Sequence, residues 1–135
     1  MSSAILNSLR IMDLSRDVAG AYGAKLLAGF GADVIKLEPP EGDPTRAMPP
    51  RIDDSTDASP DGGILFADLN TGKRSVVLDP EIKLERDSLL RLLRDADLII
   101  ESGAPGEWAG QGIDFAALLE ERARLRQPAV LRCFG

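Results

Sequence analysis

Short apolar runs separated by a helical pattern dominate the amino-terminal part of the chain. Arg10–Leu14 carries the first run, Val18–Phe30 follows with helical spacing, and Asp33–Leu37 is a second run that stops at Pro39 and Pro40. A strand, a helix and a strand in this order predict a βαβ unit with a right-handed crossover. In the helix, apolar residues spaced by four predict the buried face. They are Val18, Tyr22, Leu26 and Phe30.

Glycines mark both ends of this helix. Gly20 and Gly23 lie in its first turns, where missing side chains would permit close approach of another backbone. Gly29 or Gly31 can end the helix in the left-handed conformation that glycine adopts at little cost.

Further apolar runs predict more strands toward the carboxyl terminus. Ile64–Phe66 and Ser75–Leu78 are typical of short strands, and Ala129–Cys133 predicts the last one. Leu98–Ile100 is continuously apolar, as expected of a central strand in a parallel sheet.

Two helices are predicted between these strands. Asp79, Pro80 and Glu81 predict a helix start, with Asp79 as the cap. Its apolar face would comprise Ile82, Leu89, Leu90 and Leu93. Asp114 predicts the cap of a later helix, which carries Phe115, Leu118, Leu119 and Leu125.

The alternation predicts an α/β fold over residues 1–135, with a Rossmann-like open, mostly parallel sheet and helices on both faces. Because the chain stops directly after a predicted strand, we expect the sheet to be incomplete at the C-terminus. The segment Glu41–Gly63 is rich in Asp, Pro, Ser and Gly, and predicts an acidic mobile loop at about 41–63.

Composition narrows the possible partners. A net charge of −6 argues against nucleic acid, and no apolar run approaches the roughly 20 residues of a membrane span. The N-terminus lacks the pattern of a secretory signal, and the single Cys133 suits a reducing, cytoplasmic location. The absence of histidine excludes a Ser-His-Asp triad, a Cys-His pair and an HExxH zinc site within this chain.

Three loops are predicted at the carboxyl ends of strands, the edge where open α/β sheets bind ligands: Ser15–Val18, Pro39–Asp43 and Ser102–Gly106. None has the fingerprint of a dinucleotide site, a P-loop or a hydrolase. Lys73 and Arg74 could bind a phosphate or could be solvated charges at a turn.

Two aspartates bracket the first strand end. Asp13 and Asp17 could act as acids or bases, but Asp17 is better suited to cap the helix and Asp13 to make a structural hydrogen bond. Cys133, in an apolar strand, is typical of a core residue. The residues by themselves therefore predict a ligand-binding edge, no catalytic constellation and no metal site.

The order of several motifs resembles CoA-transferase family III, also called the CaiB/BaiF family, which includes formyl-CoA transferase. The most specific motifs are GADVIKLEPPEGD (Gly31–Asp43) and LNTGKRSVVLD (Leu69–Asp79). Weaker matches are LRIMDLSRDVA (Leu9–Ala19) and ADLIIE (Ala96–Glu101).

The resemblance implies transfer of coenzyme A between carboxylic acids, with an aspartate carboxylate attacking the acyl-CoA thioester. In the family this aspartate follows the segment matched by Val130–Gly135. We therefore expect no catalytic residue in this chain, which would supply part of the coenzyme A pocket. The matched positions are Asp17, Val18, Pro39, Leu78, Asp79, Pro80, Glu81, Ser102, Gly103 and Ala104.

Two positions depart from the pattern of the family. Glu81 stands where a lysine is usual, and Ser102–Ala104 lacks the amide and aromatic side chains of the matching loop. The alternative is therefore a catalytically inactive CoA-transferase-like module for assembly or regulation, or a fragment of an α-methylacyl-CoA racemase-like enzyme.

The resemblance also implies partners. Acyl-CoA and a carboxylic acid would be the substrates of the full-length enzyme, with no covalently bound cofactor. We expect a homo-oligomer, or pairing with a complementary CoA-transferase segment.

Overall fold

The computed structural model describes residues 4–52 and 62–124. The elements are β1 (Arg10–Leu14), α1 (Val18–Gly29), β2 (Asp33–Glu38), a 3-10 turn (Pro44–Arg46), α2 (Ile64–Leu69), β3 (Arg74–Val77), α3 (Lys83–Asp95), β4 (Leu98–Glu101), α4 (Glu107–Gly110) and α5 (Phe115–Arg124). The predictions for Leu125, for Ala129–Cys133 and for residues 53–61 of the acidic segment lie outside the described residues.

The described strands form one parallel sheet in the order β3-β2-β1-β4. Met12 of β1 lies opposite Ile35 of β2 on one side and Ile99 of β4 on the other. The prediction of an open parallel α/β sheet is therefore confirmed. Among the described strands β4 lies at an edge, although Ile99 and Ile100 are buried as predicted.

Helices cover both faces of the sheet, as predicted. One apolar cluster joins alternate strand residues to α3, α4 and α5, and includes Met12, Leu14, Leu37, Leu89, Leu93, Ile99, Trp108, Phe115 and Leu118. A smaller cluster lies under α1 and comprises Ile11, Ala24, Ala32, Val34 and Ile100. The period of two along each strand sends neighbouring side chains to opposite faces, which explains the division.

The buried face of α1 differs from the predicted one. The predicted side chains are between 45% and 57% exposed in the described structure: Val18, Tyr22, Leu26 and Phe30. Instead, small residues face the sheet, and Gly20, Ala21 and Ala24 are buried. Because the helix lies close to β1 and β2, its contact face has room only for small side chains.

The two glycines in the first turns of α1 have different roles. A Cβ added to Gly20 would lie 2.5 Å from the Cβ of Ser15, so the predicted close approach is confirmed there. A Cβ on Gly23 would meet nothing within 4 Å, so the same prediction for Gly23 is wrong. At the other end, Gly31 has a φ of 100°, and the predicted left-handed residue after the helix is confirmed.

The prediction of a strand at Ile64–Phe66 is wrong, because this run begins helix α2. A short apolar run does not by itself distinguish a strand from one turn of helix. The helix ends at Leu69, and the carbonyl oxygen of Phe66 accepts from both the backbone N and the side-chain Nδ2 of Asn70, at 3.1 and 2.9 Å. The turn that follows contains Gly72, whose φ is +80°.

Helix α3 begins at Lys83, later than predicted. Asp79 Oδ1 accepts from the backbone N of Glu81 at 2.9 Å, so Asp79 closes a turn before the helix instead of capping it. Ile82 is consequently half-exposed, whereas Leu89 and Leu93 are buried as predicted.

Helix α5 has the predicted start. Asp114 Oδ1 accepts from the backbone N of Ala116 at 2.9 Å and of Ala117 at 3.1 Å, which confirms the predicted cap. Phe115 and Leu118 are buried as predicted.

The segment after β2 begins with a buried turn. Asp43 and Thr45 are 3% and 1% exposed, and Asp43 Oδ1 accepts from the backbone N of Thr45 at 2.8 Å. Asp43, which lies inside the segment predicted as an acidic loop, is therefore buried. Within residues 4–52 and 62–124, no helix combines the length and the hydropathy that crossing a bilayer requires.

Candidate functional site

The carboxyl ends of the four described strands meet at one edge of the sheet. The order in which strands are added to the sheet reverses at β1, since β2 and β3 extend to one side of it and β4 lies on the other. Ligands of open α/β sheets bind in the crevice at such a position. The loops predicted to bind ligand all follow strands at this edge.

A cleft of about 210 Å³ lies at this edge. Its lining residues come from the loops after β1, β2 and β3 and from the end of α4: Arg16, Pro39, Pro40, Glu41, Asp79, Pro80, Glu81 and Gln111. A smaller cavity shares Arg16, Pro39 and Pro80 with the cleft. Its remaining walls are apolar: Leu14, Leu37, Leu78 and Trp108.

The structure brings five of the ten sequence-predicted residues together in these cavities: Pro39, Leu78, Asp79, Pro80 and Glu81. Asp17 and Val18 lie at the start of α1. Asp17 Oδ1 accepts from the backbone N of Gly20 at 2.8 Å, so the predicted cap is confirmed.

The loop after β4 is held by its own hydrogen bonds. Ser102 Oγ accepts from the backbone N of Arg16 at 3.0 Å, which joins this loop to the one after β1. The backbone N of Gly103 donates to Glu101 Oε2 at 2.9 Å, and that of Ala104 donates to Glu107 Oε2 at 3.0 Å. The contact of these residues with coenzyme A stays a prediction.

Four residues of the cleft are not among the predicted site residues: Arg16, Pro40, Glu41 and Gln111. Arg16 lies inside a loop that was predicted to bind ligand, so its charge was an available signal. Gln111 lies beyond the predicted loops, and only the packing of α4 brings it to the cleft. Helix α4 is in turn held by Trp108, which is 3% exposed and contacts Phe115 edge to face at 6.1 Å between ring centroids.

The charge of the cleft is mostly negative. Among its lining residues, all within the described part of the chain, Arg16 is the only cation, whereas Glu41, Asp79 and Glu81 are acids. Arg16 Nη1 lies 2.8 Å from Glu107 Oε1, and its guanidinium carbon lies 5.4 Å from the centre of the Trp108 ring. The cation of the cleft is thus already partly neutralised.

Two buried polar atoms on the described residues lining these cavities lack a hydrogen-bond partner. They are Nε1 of Trp108, a donor, and Oε1 of Gln111, an acceptor. Leaving such groups unsatisfied is costly, so partners for them are expected from solvent or a ligand.

A buried network of charged side chains lies at the same ends of β1 and β2. Lys73 Nζ lies 2.7 Å from Asp13 Oδ2, and Lys36 Nζ lies 2.9 Å from Asp43 Oδ2 and 3.9 Å from Asp13 Oδ1. All four side chains are at most 1% exposed. Asp13 also accepts from Ser15 N at 3.0 Å, which confirms its predicted structural hydrogen bond.

For Lys73 both interpretations are wrong, whereas the side chain of Arg74 is 65% exposed, which agrees with a solvated charge. Lys73 is neither solvated nor free for a phosphate, because its ammonium donates to Asp13, to the carbonyl oxygen of Ala21 at 2.8 Å and to Asn70 Oδ1 at 2.9 Å. Arg74 makes two hydrogen bonds with Asp33, at 3.0 and 2.6 Å, at the amino end of β3.

Burial and pairing shift three pKa values in these networks. Burial alone would raise the pKa of Asp43, but the Lys36 ammonium and the hydrogen bonds from Thr45 outweigh it, so this pKa lies below its ordinary value. For Lys73, burial lowers the pKa of the ammonium, and the attraction of Asp13 opposes the shift.

Glu38 is a second buried carboxylate whose pKa is lowered by its partners. Burial alone would raise the pKa of Glu38, but hydrogen bonds from Arg46 and Ser75 hold it below its ordinary value. Arg46 donates to both carboxylate oxygens of Glu38, at 2.8 and 3.0 Å. Its guanidinium also stacks 3.7 Å from the centre of the Phe66 ring, which joins β2 to α2.

Comparison with known proteins gives one family. The family model described as CoA-transferase family III matches residues 6–126. A succinyl-CoA:mesaconate CoA-transferase of Haloarcula hispanica is 40% identical over 130 residues, which cover 96% of this chain and 32% of that protein. A succinate–glutarate CoA-transferase of Agrobacterium fabrum is 36% identical over 129 residues, 95% of this chain and 31% of that protein.

Solved structures agree with this result. The crystal structure of a CaiB/BaiF family protein from Brucella suis matches with a TM-score of 0.79 and 34% identity, covering 98% of this chain and 33% of that one. The chain thus spans about a third of the length of the curated relatives that it matches. The resemblance drawn from the motifs is confirmed, and the chain belongs to CoA-transferase family III.

Proposed function

We propose that this chain supplies part of the coenzyme A site of an enzyme that transfers coenzyme A between carboxylic acids. The observation that carries the proposal is the cleft at the carboxyl edge, where Arg16 meets Pro39 and Leu78–Glu81. It lies where open α/β sheets bind nucleotide-like ligands. Family membership supports the same ligand.

The chemistry of the cleft suits some parts of coenzyme A better than others. The pantetheine arm is uncharged, so the acids of the cleft disfavour it less than they disfavour the phosphates. The phosphates would favour Arg16 and be repelled by Asp79 and Glu81. We therefore propose that the arm, rather than the phosphates, lies beside Glu81.

The reaction itself needs residues beyond those described. The resemblance implies an aspartate nucleophile that follows the segment matched by Val130–Gly135, so we assign no covalent step to this chain. Both named relatives act on dicarboxylates, as their names state, and a carboxylic acid is the proposed acceptor here.

Titration calorimetry with coenzyme A tests the proposal. Arg16→Gln should weaken binding by roughly three- to tenfold, because it removes the cation of the cleft. Glu81→Lys should strengthen binding. Arg74→Gln is the matched control, since it removes the same charge at the opposite edge of the sheet and should leave affinity unchanged. Equal effects of Arg16→Gln and Arg74→Gln, or no binding at about 1 mM coenzyme A, would contradict the proposal.

A catalytically inactive module is the second candidate, and the acids of the cleft favour it. Glu41, Asp79 and Glu81 outnumber the single cation there, which is unfavourable for an anionic substrate. Such a module would assemble with a second copy or with a complementary CoA-transferase segment. Light scattering of the chain, alone and mixed with the carboxyl-terminal two thirds of a relative, distinguishes assembly from an inert monomer.

A cytoplasmic location belongs to the same proposal. The chain has one cysteine, which suits a reducing compartment. Fractionation of cells that express the chain with a small epitope tag would test it.

A further inference from the structure

Lys36 contacts two of the loops that form the cleft. Its ammonium donates to the carbonyl oxygen of Ser15, which directly precedes Arg16. It also pairs with Asp43 Oδ2 at 2.9 Å, directly after the segment that carries Pro39, Pro40 and Glu41. One buried cation thus bonds to both sides of the cleft.

We infer that Lys36 is a positioning residue that holds the loops after β1 and β2 at a fixed separation around the ligand. The inference rests on the proposed function, because the separation matters only if the cleft binds coenzyme A. Arg16 follows one of the bonded groups in sequence, and Pro39, Pro40 and Glu41 lie between Lys36 and its partner Asp43. Movement at either bond therefore changes the width of the cleft.

Both bonds of Lys36 are rigidly supported at their far ends. Ser15 donates to Asp13 Oδ1 from its backbone N at 3.0 Å and from Oγ at 2.5 Å. Asp43 accepts from the backbone N of Thr45 at 2.8 Å and also from its hydroxyl. With the Lys36 side chain 1% exposed, water does not compete for these bonds.

Lys73 offers an internal comparison within the same network. It is an equally buried ammonium beside the same Asp13, but its three donors go to Asp13, Ala21 and Asn70. None of these residues lines the cleft. Because Asp13 also holds Ser15, loss of Lys73 should cost stability and affect the loop after β1 indirectly, but leave the loop after β2 in place.

The test compares Lys36→Met with Lys73→Met in the full chain. Hydrogen exchange is followed at two amides, one in each cleft loop. Arg16 N donates to Ser102 Oγ at 3.0 Å, and Gly42 N donates to the carbonyl oxygen of Pro39 at 2.9 Å. We expect Lys36→Met to speed exchange at both amides, and to weaken coenzyme A binding on the order of tenfold. Lys73→Met should leave exchange at Gly42 unchanged, at a temperature where both variants are folded.

A double variant covers the case in which Lys36→Met does not fold. Asp43→Asn added to Lys36→Met removes the buried carboxylate left without its cation, and so keeps the fold while the bonds from the ammonium stay absent. Lys36→Arg retains the charge and should partly restore the exchange rates and the affinity.

The outcomes separate this inference from the proposed function. Unchanged exchange at Arg16 and Gly42 without the Lys36 ammonium would overturn the inference, as would an equal effect of Lys73→Met at Gly42. Lys36→Met could exchange faster at both amides while the wild type binds no coenzyme A. This result would support the link between the loops and refute the proposed ligand. Faster exchange with unchanged affinity would overturn the positioning role.

Discussion

Arg16 and Glu107 form an ion pair across the crevice between the ends of β1 and β4, with 2.8 Å between Nη1 and Oε1. The same Glu107 accepts from the backbone N of Ala104 through its second oxygen. One carboxylate therefore both shapes the loop after β4 and neutralises the only cation among the residues of the cleft, all of which the structure describes.

Glu107→Gln should strengthen coenzyme A binding about threefold at low salt, because Arg16 loses its competing anion while an acceptor for Ala104 is kept. The gain should shrink as salt is added. Both side chains are about one third exposed, so stability should change by less than about 1 kcal/mol. Calorimetric titration at two ionic strengths measures the effect. Glu121→Gln, in the exposed pair with Arg94, is the control, and an equal gain there would refute the explanation.

Gly20→Ala and Gly23→Ala should have opposite effects on stability, although both lie in α1. The new Cβ at Gly20 would be 2.5 Å from Ser15, so we expect a loss of about 1–3 kcal/mol. At Gly23 the space is open, and alanine should add about 0.5–1 kcal/mol by favouring the helix. Urea unfolding of the two variants measures this difference. If the two variants changed the free energy of unfolding equally, α1 would not pack against Ser15, directly after β1, as described.

Leu89→Ala should destabilise the protein far more than Leu26→Ala. Leu89 is fully buried beneath the sheet, and its truncation should cost about 2–5 kcal/mol. Leu26 is 47% exposed, so we expect a cost below about 1 kcal/mol. Thermal unfolding gives the comparison. A large loss of stability in Leu26→Ala would instead indicate that the face of α1 predicted from the spacing of its apolar residues is buried.

Stability should fall in acid partly through Asp43 and Glu38. Their pKa values are lower in the folded state than the ordinary 3.8 and 4.5. Unfolded chains therefore take up protons first as the pH falls, and the stabilisation, complete above these ordinary values, is lost through the folded pKa values. We expect Asp43→Asn to flatten the fall in unfolding free energy between about pH 5 and pH 2. A slope in Asp43→Asn equal to that of the unaltered protein would contradict this explanation.

Much of the candidate site was predictable because strand ends are visible in the sequence. Pro39 and Leu78–Glu81 follow apolar runs directly, and parallel strands bring such positions to a common edge. Gln111 was not predictable in this way, because it reaches the cleft through a helix that Trp108 anchors. Arg16 was recognisable as a loop cation, but its partner Glu107 is 91 residues away in the chain.

The wrong predictions from the sequence concern which residues are buried more than which form helices or strands. The spacing of Val18, Tyr22, Leu26 and Phe30 indicates a helix equally well whether that face is inside or outside. Small residues decided the orientation, since Gly20 and Ala24 permit an approach to the sheet that large side chains would block. The segment Ile64–Phe66 was too short for its period to separate strand from helix.

By itself the sequence determined the order of most strands and helices, the parallel α/β class and the family, because these depend on local spacing and on motifs that are contiguous. Tertiary structure decided which face of α1 is buried and how the buried charges pair. Lys36, Asp43 and Lys73 look solvated in sequence, and each is buried beside an opposite charge that compensates its lost hydration. That charge lies close by in the chain for Lys36 and Asp43, and 60 residues away for Lys73 and Asp13. Such compensation depends on the approach of strands and loops in space, which no local pattern encodes.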